Sequence, residues 1–549
     1  MEDIAKTENF HNQEAPLLIK ELLRMALEAN PTTEILYAER SRYGYVTLNE
    51  RVHRLASALS GLGLRHGMVV GVMDWDTPRY LECFFAVPMM GAVLHTINVR
   101  LSPEQVLYTI NHAEDDVILV NAEFLPLLEK IWDRVEPGKI LVLLNDGPDQ
   151  PATSLQLIGE YEALLAAADP GFDFPDFDET TRATTFYTTG TTGLPKGVFF
   201  SHRQLVLHTL AIRMTLQGKG QGRFNEDDVY MPVTPMFHVH GWGMPYVATS
   251  LGAKQVYPGR YAPDTLARLI KSEGVTFSHC VPTILQMVLD AATRNQVDLH
   301  GWTVVIGGSA LPRALCIEAL KRGVDVFTGY GLSETCPILT VSRLQPHMMD
   351  WPLERQADVR CKTGRPVAMV QIRLVDEAMQ DVPSDGESRG EIITSAPWLT
   401  TGYLKDPVNS KILWAGGWLH TGDLAVREPD GTLKIIDRIK DVIKTGGEWV
   451  SSLDIEDLIL RHPAVAEVAV IGIEDPKWGE RPLAIIVPKQ GVEVSVDDIL
   501  VHLAGFADRG IISRYAVPGR VDFVEQLPKT SVGKLNKRVL RETYTASNR

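Results

Sequence analysis

Eleven residues, Tyr187–Gly197, hold four threonines, three glycines and one lysine, directly after the apolar, strand-like run Ala183–Phe186. Glycines let backbone N–H groups approach an anion closely, threonine hydroxyls add neutral donors, and Lys196 supplies one positive charge. The segment suits a polyphosphate. It is not a Walker loop: from Gly190 the next glycine comes too early for G-x-x-x-x-G-K-[ST], and Gly197 rather than Ser or Thr follows Lys196. Ligands of open α/β sheets sit beyond the carboxyl ends of strands, so such a loop calls for a layered α/β chain around it.

The apolar pattern agrees. Val69–Met73, Val117–Val120 and Ile140–Leu144 are short and β-branched-rich, and they alternate with helical patterns such as Asn49–Leu62. Thr276–Val281, Val304–Ile306 and Val324–Thr328 continue the series, each followed by Gly or Pro and then a helical stretch. Parallel α/β layers are expected. Beyond about residue 440 the texture changes: Glu467–Ile473 and Leu483–Val487 read as strands, Asp454–Arg461 and Val496–Leu503 as helices, which fits a small α+β domain. The charged stretch Asp437–Asp441 reads as an exposed linker. The predicted division is a large N-terminal domain of layered α/β subdomains, 1–438, and a C-terminal α+β domain, 439–549.

A chain of 549 residues with a formal charge of −15 does not bind nucleic acid through a basic field. Any anionic ligand has to meet a local positive site. Five scattered cysteines, odd in number and without C-x-x-C spacing, read as reduced and buried. Met1–Pro16 is polar and acidic, unlike a signal peptide, and the apolar run Phe84–Val99 is interrupted by Pro88, Gly91 and His95. That run is shorter than the roughly 20 residues of a membrane helix and reads as core. The expectation is a cytoplasmic protein with no integral membrane segment.

The loop residues resemble the acyl-adenylate-forming superfamily, which includes acyl-CoA synthetases, carrier-protein adenylation domains and beetle luciferases. The resemblance extends through Gly329-Tyr330-Gly331-Leu332-Ser333-Glu334-Thr335, Gly417-Trp418-Leu419-His420-Thr421-Gly422-Asp423, Asp437-Arg438-Ile439-Lys440-Asp441, Lys444-Thr445-Gly446-Gly447-Glu448 and Pro528-Lys529-Thr530-Ser531-Val532-Gly533-Lys534. These motifs run in the family's order over about residues 30–545.

The resemblance implies an AMP-forming acid:CoA ligase, similar to medium- and long-chain fatty acyl-CoA synthetases, with ATP, Mg2+ and CoA as co-reactants. A carboxylate attacking the α-phosphorus of ATP brings two anions together, so positive charge and aligned donors are needed. By resemblance, Thr188, Thr189, Gly190, Thr191, Thr192, Gly193 and Lys196 hold the phosphates. Ser333 meets the α-phosphate, Glu334 and Thr188 serve the magnesium ion, Tyr330 stacks on adenine with Gly307-Gly308-Ser309 along the same base, and Gly331 also belongs to the ATP site. Asp423 and Arg438 grip the ribose. Lys534 is the main catalytic side chain, carried by a mobile C-terminal domain that turns about a hinge at Lys440 to serve a second half-reaction. Lys444, Gly446, Gly447 and Trp449 would line the CoA path.

Pro235–Trp242 resembles the acid-binding segment: His238 lies near the carboxylate, and Trp242 looks like the tryptophan that gates the acyl tunnel of some long-chain enzymes, with Gly307 beside it. The segment carries no charged partner for an amino group, which disfavours amino acids. A medium- or long-chain fatty acid is expected. Short, alicyclic or thioether acids such as methylmercaptopropionate, and an acceptor other than CoA, stay open. So does oligomeric state, a homodimer included.

Overall fold

The computed structural model describes residues 15–188, 194–445, 448–530 and 534–546. Its frame is two large sheets. The first runs, in spatial order, from Leu157–Glu160 through Ile140–Leu144, Val117–Asn121, Val69–Met73, Val93–Thr96 and Arg182–Tyr187 to Gly197–Ser201. Every pairing in it is parallel except the last, which is antiparallel. The second sheet has nine strands and carries Val229–Pro232, Phe277–Cys280, Thr303–Ile306 and Asp325–Gly331 in parallel at its centre. Helices cover both sheets. Strand Val69–Met73 is buried at all five positions, as a strand packed on both faces must be.

The apolar run Phe84–Val99 divides into the end of helix Pro78–Met89 and strand Val93–Thr96, all of it interior. Thr77 caps that helix by accepting from the Tyr80 N–H, and Pro78 sits in its first turn where no N–H is needed. Among the described residues, no helix is long and apolar enough to cross a membrane. All five cysteines are free, four of them buried and Cys361 half-buried.

One reading of the sequence is corrected, and the strand after the threonine-rich segment, on which the sequence was silent, is added. Strand β1 (Arg182–Tyr187) pairs antiparallel with Gly197–Ser201, the strand on the other side of the threonine-rich segment. Helix His202–Leu216 begins only afterwards, with a Ser201–Gln204 capping box. The strand read at Val324–Thr328 is β2 (Asp325–Gly331), and no helix follows it. A short turn, Ser333–Thr335, leads into antiparallel Ile338–Val341. That turn is braced from behind by Trp398, wholly buried, whose indole N–H donates to the Thr335 carbonyl at 3.1 Å.

A four-stranded antiparallel sheet follows, containing β3 (Leu419–Arg427) and β4 (Leu433–Arg438). Beyond it, β5 (Ile443–Thr445), β6 (Glu448–Val450), Val465–Asp475, Gly479–Pro488 and Arg520–Phe523 form a separate sheet. Helix α1 (Ser452–Leu460), helix Val496–Asp508 and helix α2 (Lys537–Ala546) accompany it, with apolar cores of its own around Ile455, Val470 and Ile486 and around Ile471, Ile485 and Leu540. The stretch Asp437–Asp441 departs from the expected exposed linker: Arg438, Ile439 and Lys440 are exposed, but Asp437 is 2% exposed.

Truncating Trp398 should tell how far the turn depends on its brace. Trp398→Ala is expected to cost about 3–5 kcal/mol, and Trp398→Phe, which keeps most of the packing but leaves the Thr335 carbonyl without its donor, about 1–3 kcal/mol. Urea unfolding followed by circular dichroism measures both.

Candidate active site

The carboxyl ends of β2 and Thr303–Ile306 from one sheet, and the paired strands β3 and β4 from another, meet at a single cleft. Antiparallel register places Asp423 opposite Arg438, and their side chains form an ion pair at 3.0 Å. Tyr330, at the end of β2, donates its hydroxyl to the other Asp423 oxygen at 2.7 Å. Asp423 is 4% exposed. Burial raises its pKa, against the pull of Arg438 and of the Tyr330 hydroxyl, and Asp423 in turn holds the Arg438 guanidinium firmly protonated.

Lys534 reaches this cleft from the C-terminal segment. A Cβ added at Gly308 would stand 2.9 Å from the Lys534 Cε, so the lysine side chain would have to shift, and the φ of +79° at Gly308 favours glycine there. Burial and the nearby Arg438 lower the Lys534 pKa to about 8, while Asp423 and Glu334 oppose the drop. The Lys534 N–H donates to the Thr530 hydroxyl at 3.2 Å.

Glu334 sits on the Ser333–Thr335 turn and accepts the Tyr403 hydroxyl at 2.7 Å. The Lys196 ammonium stands 4.6 Å from the centre of the same Tyr403 ring. One tyrosine therefore spaces the loop lysine from the carboxylate. Thr188 and Lys196 close the loop's mouth, with Thr188 N–H donating to the Lys196 carbonyl at 2.9 Å and Lys196 N–H to the Thr188 hydroxyl at 3.3 Å. The expected phosphate contacts Thr189, Gly190, Thr191, Thr192 and Gly193 lie outside the described residues, as do Gly446 and Gly447.

Pro235–Trp242, the segment expected to bind the acid, has an unusual backbone. Val239, His240, Gly241, Trp242 and Gly243 all have φ between 50° and 71°, a left-handed turn that costs about 1–2 kcal/mol per non-glycine residue. It splits the segment. The Trp242 ring lies against Gly307, where a Cβ would meet it at 2.8 Å, and tilts over His279 at 5.1 Å between centroids. His240 instead faces the core, edge-on to Phe186 and Phe200. His238 is held neutral, its pKa lowered to about 3 by burial, with Lys534 and Arg100 adding to the shift.

The structure thus brings Lys534, Glu334, Tyr330, Asp423, Arg438, Lys196, Gly307, Gly308, His238 and Trp242 to one region. Gly331 and Ser333 fall on the same strand end and turn, and Ser309 is exposed just after Gly308. Lys444 and Trp449 are brought to each other instead, cross-strand partners on β5 and β6 with the ammonium 4.8 Å from the ring centre. The Trp449 carbonyl meets Arg389 at 2.6 Å. Lys440 is exposed between the two parts.

Sequence reasoning missed Tyr403, which only a fold can bring to Glu334, although the stretch Thr400-Thr401-Gly402-Tyr403 was a polar signal of its own. It also missed Asp76, whose buried carboxyl accepts the Met236 N–H at 2.8 Å and the Tyr261 hydroxyl and so pins the segment Pro235–Trp242. Burial raises the Asp76 pKa to about 7.

Residues 23–404 match the family model for AMP-binding enzymes, and residues 454–534 match that for the AMP-binding enzyme C-terminal domain. The chain belongs to the AMP-binding enzyme family. Within it, the chain is 42% identical to a long-chain-fatty-acid–CoA ligase of Thermus thermophilus over 92% of its length and 91% of that protein's. It is 38% identical to a 3-methylmercaptopropionyl-CoA ligase of Ruegeria lacuscaerulensis, over 96% and 97%. An anthranilate CoA ligase solved with anthranoyl-AMP superposes with a TM-score of 0.84 at 25% identity, covering 97% of this chain and 99% of that one.

The lysine environment can be measured without any reaction. With lysines labelled at Cε, NMR titration should find one resonance, absent in Lys534→Arg, that moves near pH 8 while ordinary lysines titrate near about 10.4. Gly308→Val should expel that side chain and return its pKa toward the ordinary value.

Proposed function

We propose that the protein is an AMP-forming acid:CoA ligase that joins a carboxylic acid to ATP as an acyl-adenylate, releasing pyrophosphate, and then transfers the acyl group to the thiol of CoA, releasing AMP. The observation that carries this reading is the entry of Lys534 against Gly308, in a cleft that also holds the Asp423–Arg438 pair and Glu334. Lys534 is assigned the neutralisation of charge as carboxylate oxygen and α-phosphorus approach. His238, neutral and therefore able to donate one hydrogen bond to an anion without forming an ion pair, orients the acid.

Asp423 and Arg438 are assigned to the ribose hydroxyls, Tyr330, Gly308 and Ser309 to adenine, and Lys196 with the loop threonines to the phosphates. A magnesium ion fits the donor set: Glu334 supplies a hard carboxylate oxygen close to Lys196, and such an ion takes most of its remaining ligands from phosphate and water. When bound, it would neutralise phosphate charge. Lys444 and Trp449 are assigned to the CoA side after rotation at Lys440, which makes 439–549 the moving part. The free thiols and the use of ATP and CoA fit a cytoplasmic setting.

A medium- or long-chain fatty acid is the substrate supported by the Thermus relative. A short thioether acid is the second reading, supported by the 38% identity to methylmercaptopropionyl-CoA ligases. Mass spectrometry of reactions containing ATP, magnesium and CoA, with acids from acetate to palmitate and with thioether and alicyclic acids, separates them. Acyl-CoA with equimolar AMP is expected, whereas adenylate without thioester would point to another acceptor and ADP would refute the reading.

Lys534→Ala should slow adenylation by about 100-fold or more and leave thioester formation from supplied acyl-adenylate largely intact. The ammonium is the active form, so kcat/KM for adenylation should fall as pH rises through about 8. Lys534→Arg should lack that alkaline limb; an unchanged limb would remove Lys534 from the role. Trp242→Ala should alter the acid profile more than the KM for ATP, and an unaltered profile would sink the gate assignment.

A further inference from the structure

Three residues after Lys534, α2 begins with Lys537, whose side chain is only 11% exposed and whose ammonium has two partners on α1: the Glu456 carboxylate at 2.7 Å and the Ser452 hydroxyl at 2.6 Å. Ser452 passes the contact on. Its hydroxyl and its backbone N–H both donate to one oxygen of the Asp437 carboxylate, at 2.5 and 2.7 Å. The other Asp437 oxygen accepts the Arg438 N–H at 2.8 Å. One turn along α2, Arg541 pairs with Asp441 at 2.5 Å. One face of α2 is therefore tied to both flanks of Lys440.

We infer that Lys537 is a positioning residue for adenylation, which couples the placement of Lys534 to the strand bearing Arg438 through the buried chain Lys537–Ser452–Asp437. This rests on the ligase reading above and extends it. Asp437 lies on β4, before Lys440, whereas Ser452, Glu456 and Lys537 lie after it, so the chain crosses the hinge. Asp437 and Glu456, 2% and 7% exposed, are desolvated carboxylates, and each is stabilised by the contacts of this cluster. Glu456 is anchored on its other side by the Val470 N–H, which donates to it at 2.7 Å. Rotation at Lys440 moves Ser452 and Lys537 together but leaves Asp437 behind. The cluster thus exists in full only while Lys534 occupies the cleft, and it favours that orientation over the rotated one. Lys537 does not touch the cleft itself; it acts through the segment that carries Lys534.

The test separates the half-reactions. Lys537→Met and Glu456→Gln should lower pyrophosphate exchange by about tenfold or more, the scale on which removing one partner of a buried pair shifts a two-state equilibrium. Thioester formation from supplied acyl-adenylate should stay within about twofold of wild type, a split that a general loss of stability does not produce. Lys537→Arg should restore most of the exchange. Ser452→Ala, a milder change that removes the shared hydroxyl and keeps the N–H contact, should act in the same direction and remains informative if Lys537→Met folds poorly. Equal loss in both half-reactions, or unchanged exchange, overturns the assignment. Fluorophores on Val408→Cys and Val501→Cys, exposed positions on opposite sides of the hinge, in a Cys361→Ser background, should report a changed mean distance in Lys537→Met. That readout needs no turnover, so failure of the ligase reading in the product assay and failure of the coupling are told apart.

Discussion

Everything in the cleft depends on bringing one ammonium group into contact with a glycine. Gly308 has no side chain and a left-handed φ, and the Lys534 methylenes fill the space a Cβ would take. The ammonium arrives in partly desolvated surroundings between Arg438, which repels it, and Asp423 and Glu334, which attract it. The balance leaves a lysine that is charged at neutral pH yet poorly compensated, and such a group interacts strongly with an incoming phosphate. In a chain of net charge −15, that local arrangement supplies the positive charge that the proposed role at a phosphate requires.

The surrounding architecture serves that contact. Two sheets present strand ends at the cleft, an antiparallel pair registers Asp423 with Arg438, and Tyr330 bridges from one sheet to the other through its hydroxyl. Tyr403 does the same between the phosphate loop and Glu334. Each of these half-buried aromatic residues packs a ring and offers one polar end, so each fixes spacing and direction together.

Much of this was legible in the sequence because it is local. Val69–Met73 and Ile140–Leu144 read correctly as strands from β-branched runs, and the small C-terminal unit from its change of texture. The cleft's glycines, Tyr330, Asp423, Arg438 and Lys534 stood in recognisable motifs. What failed to read was set by distance. Tyr403 and Glu334 are 69 positions apart, and Asp76 and Met236 are 160 apart, so no periodicity links them. The antiparallel strand after the threonine-rich segment was missed because glycine and threonine mark a turn but not its direction. Asp437 was misjudged because a charged tetrad looks like solvent-facing linker until Ser452 supplies two donors to bury it.

The left-handed run Val239–Gly243 has a consequence for how this protein can diversify. A β-branched valine at φ 50° persists only where its surroundings over-determine the backbone, and here Asp76 and Thr96 grip the chain just ahead of it, at Met236 and Phe237. The ledge that seats Trp242 is therefore cast by main chain rather than chosen side chain by side chain. Lineages descending from such a scaffold can retune the acid they accept by exchanging the furnishings around the ledge, while any insertion or deletion within it would forfeit the mould itself.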